Sequence, residues 1–136
     1  SFHGLFIGKV TEEWMALQCV LYRMLTDNLT IEERRIFYKK MNLSIDKTFS
    51  ENADVRAAGR RELEQLRGKE SNVPYFIAGS YEVEYYRKNN PSYAQKAIDE
   101  YENFIGSDPS LSSDPFLKRT VQILRDEIEG KGKNKI

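Results

Sequence analysis

The chain has 136 residues, 40% hydrophobic and 31% charged, which fits one globular domain with an ordinary core. Its 21 basic and 21 acidic residues cancel, so the overall basic excess of a nucleic-acid binder is missing. A single cysteine rules out an internal disulfide, and no run of about 18 apolar residues is present to span a membrane.

Cys19 as the lone thiol fits a reducing, cytoplasmic setting. The first residues carry no signal-peptide pattern, although the chain begins at Ser1 and a removed leader stays open. Charge is uneven along the chain. Residues 31–69 hold ten basic and seven acidic groups, residues 70–129 hold six basic and eleven acidic, and the end adds three lysines. Solvated helix faces account for this pattern; an acidic face that steers a basic partner is the sharper alternative.

Residues 1–10, SFHGLFIGKV, read as an apolar arm packing Phe2, Leu5, Phe6 and Ile7. A helix is expected over Glu12–Leu25, capped by Thr11, with Trp14, Leu17 and Met24 at helical spacing and Cys19 as a small core hydrophobe. Thr30-Ile31-Glu32-Glu33 is a capping box that opens a helix to about Met41. Ile36, Phe37, Tyr38 and Met41 are expected inward there, opposite a basic strip of Arg34, Arg35, Lys39 and Lys40. Leu43, Ile45 and Phe49 then alternate with polar residues and read as anchors of a loop over 42–50.

A surface helix follows over Glu51–Arg67 and stops at Gly68. Its apolar stripe is thin (Ala53, Val55, Ala57, Ala58, Leu63, Leu66), and Gly59 in its middle marks a kink or a close helix approach. The helix over Pro74–Tyr86 is apolar nearly all round, the signature of a central element. Ala78 and Gly79 are small enough to admit a neighbour. Asn89-Asn90-Pro91 joins it to a helix over Tyr93–Ile105, whose stripe is Ala94, Ala97, Ile98, Tyr101, Phe104 and Ile105, with Gly106 as a cap. Asp114 and Pro115 start a last helix with Phe116, Leu117, Val121, Leu124 and Ile128 inward, ending at Gly130. Residues 131–136 read as a flexible basic tail. The expectation is an all-α protein: one domain over 1–130, a compact bundle of five or six helices with a helical hairpin in its C-terminal half.

Residues that carry catalytic chemistry are sparse. His3 is the only histidine, so no zinc cluster or histidine-activated nucleophile is expected, and no phosphate-binding glycine motif occurs. No metal and no cofactor is expected. Glu82 lies on a mostly apolar helix and would serve as an acid or base if buried beside another carboxylate; otherwise it is an exposed or salt-bridged glutamate.

Ala97, Tyr101, Phe104 and Pro109 fall at the spacing of the second helix of a tetratricopeptide repeat, and Gly79 with flanking aromatics resembles the first. The resemblance covers residues 75–109 once. Phe104 stands where that family has a small residue, and the turn is longer. Leu21-Tyr22-Arg23 also repeats the tripeptide that names a family of small mitochondrial assembly factors. The repeat-like resemblance implies a non-enzymatic adaptor that holds a protein segment in a helical groove, with no nucleic acid and a homo-oligomer left open. Tyr75, Tyr81, Tyr85 and Tyr101 are the expected linings of that groove, because tyrosine offers large contact area and a hydroxyl at low entropic cost. The same rings could instead fill the core. The runner-up function is a small-molecule sensor with an aromatic pocket between the last three helices.

Overall fold

The computed structural model describes residues 30–134, and every regular element in that range is helical. The all-α expectation holds. The expected arm over 1–10, the helix over Glu12–Leu25 with Trp14 and Cys19, His3 and the Leu21-Tyr22-Arg23 tripeptide lie outside the described residues. Five α-helices follow in order: α1 (Ile31–Thr48), α2 (Ala53–Gln65), α3 (Val73–Lys88), α4 (Pro91–Ser107) and α5 (Pro115–Asn134), with a 3-10 turn at Pro109–Ser113. The chain divides into two compact units, Ser1–Tyr38 and Lys39–Ile136.

In the first unit Thr30 caps the helix as read, and the Glu33 side chain turns back to its hydroxyl. The Glu33 N–H donates to Thr30 Oγ1 at 3.1 Å, and that hydroxyl meets the Glu33 carboxylate at 3.0 Å. Ile36 is not inward; it is 60% exposed, while Phe37 and Tyr38 are half-buried and meet edge to face.

In the second unit α1 continues to Thr48, where the alternation of Leu43, Ile45 and Phe49 had suggested a loop. The deciding period is Met41, Ser44, Ile45 and Thr48, which are buried on one helical face, while Leu43 is 53% exposed. α2 packs against that stretch of α1 through Gly59. A Cβ there would lie 2.7 Å from the Ser44 carbonyl oxygen and 2.7 Å from Lys47 Cβ. Lys47 also bonds both oxygens of Glu62 at 2.9 Å. The buried stripe of α2 is Arg56, Gly59, Leu63 and Leu66, not the alanines and Val55. Asn52 caps the helix by accepting from Asp54 and Val55, and Gly68 leaves it at φ 86°.

α3 is central, as its composition implies. Val73, Tyr75, Phe76, Ile77, Ala78, Val83 and Tyr85 are buried, and so are Ser80, Glu82 and Glu84. It packs most extensively on α4, through a junction of two residues. Asn89 closes α3 in the left-handed region at φ 54°, and Asn90 Oδ1 accepts from the Ser92 N–H at 3.0 Å to open α4 at Pro91. Gly79 is not a contact point for a neighbour: nothing lies within 4 Å of where its Cβ would be. α4 runs one residue past Gly106 and is closed by Asp108. Asp114 caps α5 through the N–H groups of Phe116 and Leu117. α5 buries Leu117, Val121 and Leu124 and passes through Gly130 to Asn134; an unpacked glycine weakens a helix by about 1 kcal/mol without stopping it.

The two glycines separate packing from propensity. Gly59→Ala should destabilise the protein by about 1–3 kcal/mol, because the methyl meets α1 backbone. Gly79→Ala should stabilise it by up to about 1 kcal/mol. Urea unfolding followed by circular dichroism checks both signs; equal effects would contradict the Gly59 contact.

Candidate functional site

The four tyrosines expected to line a groove fall into two environments. Tyr75, Tyr85 and Tyr101 are buried, Tyr85 to 1% exposure, whereas Tyr81 is half-buried. Tyr75 meets Tyr101 and Phe104 at centroid distances of 5.9 and 5.6 Å, and Phe76 at 5.3 Å, in tilted and edge-to-face arrangements that suit the ring quadrupole. The Tyr101 hydroxyl donates to Glu82 Oε1 at 2.6 Å inside this cluster.

The hydroxyls of this interior are held protonated. Burial first, then the Glu82 charge, pushes the Tyr101 hydroxyl well above its ordinary value. Tyr75 is raised by burial, then by the charges of Glu82 and Asp114. Tyr86 is raised by burial, then by the charges of Glu127 and Glu82 and a hydrogen bond to Glu127. At neutral pH all three remain hydrogen-bond donors. Tyr86 connects this interior to the surface, being 43% exposed.

Tyr81 belongs to a different group of residues. Its ring stacks on Tyr93 of α4 at 6.4 Å, with the planes 28° apart. Cations surround the pair. The Arg60 guanidinium lies 5.0 Å from the Tyr81 centroid, and the Lys96 ammonium lies 5.6 Å from Tyr81 and 5.4 Å from Tyr93. Lys88 lies 5.2 Å from the Tyr93 centroid and 3.5 Å from its hydroxyl. Three helices of the second unit therefore bring two aromatic rings and three cations to one face.

Beneath that face is a buried ion pair. Arg56 Nε donates to Glu84 Oε1 at 2.5 Å, and Arg56 Nη1 donates to the carbonyls of Ser50 and Glu51, both at 2.9 Å. Glu84 also has Lys88 at 3.3 Å and Arg60 at 3.9 Å. Burial alone would raise the Glu84 carboxyl, but the Arg56 hydrogen bond and charge, helped by Lys88, hold it below its ordinary value. Glu70, in the turn before α3, has the opposite sign: burial raises it although it accepts the Asn72 N–H at 2.8 Å.

Among the described residues no three His, Cys, Asp or Glu side chains converge to hold a metal, and no helix is long and apolar enough to cross a membrane. Comparison with protein-family models, curated proteins and solved structures finds no match.

Of the residues in this cluster, Tyr81 alone was among the expected groove linings. Lys88, Tyr93 and Lys96 carried a usable signal, since they flank the short Asn89-Asn90-Pro91 junction at helical spacings and must come together when α3 and α4 fold back on each other. Arg60 carried none. Its place depends on how α2 crosses α3.

Removing either charge of the buried pair leaves the other without its main partner. Arg56→Ala should lower stability by about 3–5 kcal/mol, and Arg56→Leu/Glu84→Leu should recover most of that. The contribution of Glu84 is present above its unfolded value of about 4.3 and is lost as pH falls through its lower folded value. Glu84→Gln should therefore flatten the acid limb of stability below about pH 4. Denaturation midpoints measured across pH test this, and an unchanged limb would exclude Glu84 as its source.

Proposed function

We propose that this chain is a non-enzymatic protein-interaction module. It receives a partner segment on the face formed by α2, α3 and α4, with Tyr81 and Tyr93 at its centre. The α3–α4 hairpin would act as a tetratricopeptide-like hairpin does, offering aromatic side chains to an incoming chain. One observation carries this reading: two stacked, half-buried tyrosines present part of their rings to solvent on helices that are otherwise firmly packed. Rigid tyrosines at a surface concentrate binding energy, because little conformational entropy is lost when they are covered. Tyr75, Tyr85 and Tyr101 would support that face from within, and their protonated hydroxyls suit a scaffold better than a proton-transfer site. The single cysteine supports a reducing, cytoplasmic setting.

A small-molecule sensor is the second reading. It rests on the Glu82–Tyr101 pair, a polar contact enclosed by rings between α3 and α4. A metabolite that fits there would displace the Tyr101 hydroxyl from its carboxylate.

Selection of a random peptide library on the immobilised protein tests the first reading. Peptides enriched on the wild type should bind Tyr81→Ala/Tyr93→Ala at least about 30-fold more weakly, the loss of one aromatic hot spot of about 2 kcal/mol. Circular dichroism must show the variant folded. Equal binding to both proteins, or no enrichment, overturns the reading. A thermal shift from a metabolite library that Tyr101→Phe abolishes would favour the sensor.

A further inference from the structure

The Tyr81–Tyr93 face carries more positive charge than its own carboxylate can neutralise. Glu84 is the carboxylate that meets these cations, and its Oε1 is committed to Arg56 at 2.5 Å. Arg60 reaches it only at 3.9 Å, and Arg60 Nη1 is buried without a hydrogen-bond partner. Lys96 forms no ion pair among the described residues. One turn further along α4, Glu100 is held by Arg67 in a two-pronged bond of 2.7 and 3.0 Å, and Asp99 accepts the neutral Gln95 amide and keeps its own charge without pairing to Lys96. Lys88 is 45% exposed and shares Glu84. Arg60, Lys88 and Lys96 thus surround the two rings with charge that an incoming anion would complete.

The surroundings limit the size of that anion. Lys88 and Lys96 lie in residues 70–129, which carry six basic and eleven acidic side chains, whereas Arg60 comes from residues 31–69, with ten basic and seven acidic, so the positive patch meets acidic chain on its α3–α4 side. A long polyanion such as a nucleic acid needs an extended basic track, and its phosphates beyond the patch along α4 would meet the like charge of Asp99 and Glu102. A short peptide segment with a few carboxylates needs only the patch. Its apolar side chains would cover the tyrosine rings while its carboxylates meet the three cations.

We infer that the partner segment held at Tyr81 and Tyr93 is a short acidic peptide, with Asp or Glu side chains placed against Arg60, Lys88 and Lys96. This rests on the interaction-module reading and specifies the partner's chemistry.

The test uses the full chain and fluorescence anisotropy with synthetic peptides of about a dozen residues. One alternates Glu with Leu and Phe, a second replaces every Glu with Gln, and a third replaces every Glu with Lys; a single-stranded oligothymidylate is the fourth probe. The Glu peptide is expected to bind at least about tenfold more tightly than its Gln counterpart. That preference should shrink as salt rises towards about 0.5 M. Lys96→Glu, at an exposed position, should weaken the Glu peptide by about tenfold while leaving the Gln peptide unchanged. Equal binding of the Glu and Gln peptides, both lost in Tyr81→Ala/Tyr93→Ala, would overturn the acidic class and leave the docking face standing. Tighter binding of the Lys peptide or of the oligonucleotide would overturn it in favour of those partners. If no probe binds but library-selected peptides do, their sequences decide: lack of acidic enrichment refutes the inference. If neither the probes nor the library bind, the interaction module itself fails.

Discussion

The buried contact between Arg56 and Glu84 is the constraint on which the arrangement of the second unit depends. Each charge is withdrawn from water, so each must be compensated by the other and by fixed dipoles. Arg56 meets this demand in two directions, towards Glu84 on α3 and towards the carbonyls of Ser50 and Glu51 in the segment between α1 and α2. One side chain thereby ties the α1–α2 connection to the central helix. The crossing of α2 over α3 then needs room beside α1, and Gly59, one turn along the same face, supplies it.

The same contact shapes the surface. Glu84 gives Oε1 to Arg56 and Oε2 to Lys88, which also lies over the Tyr93 ring, while Arg60 lies against the Tyr81 ring. The interior contact and the exposed cation–ring cluster are therefore one electrostatic arrangement seen from two sides. The aromatic interior on the other flank of α3 is organised differently. There Glu82 accepts a tyrosine hydroxyl where Glu84 accepts an arginine, so two glutamates two residues apart on one helix are buried with different donors.

Much of the fold was legible wherever a local rule governs. Thr30, Asn90 with Pro91, and Asp114 each act as the caps their types suggest, and Gly68 adopts the positive φ that ends a helix. The apolar surround of α3 correctly implied a central helix. Local pattern failed where two periods overlap: residues 41–48 satisfy both a two-residue and a helical repeat, and packing against α2 decides for the helix. It failed again at Arg56, since nothing in the flanking residues distinguishes a buried arginine from the exposed Arg61. The tyrosines could not be sorted in advance because helix α3 is apolar on several faces, and only the positions of α2, α4 and α5 determine which rings are covered.

The two-residue junction between α3 and α4 has a consequence for how the molecule assembles. Closing so short a connection loses little chain entropy, and the helices it joins share the most extensive packing in the unit. This hairpin is therefore expected to form early, with its aromatic interior as the nucleus. The Arg56–Glu84 contact spans 28 positions and must wait for a surface on which to close. On that sequence of events a mutation at the ion pair changes mainly how fast the folded protein opens, while one among the rings of α3 and α4 changes how fast it forms.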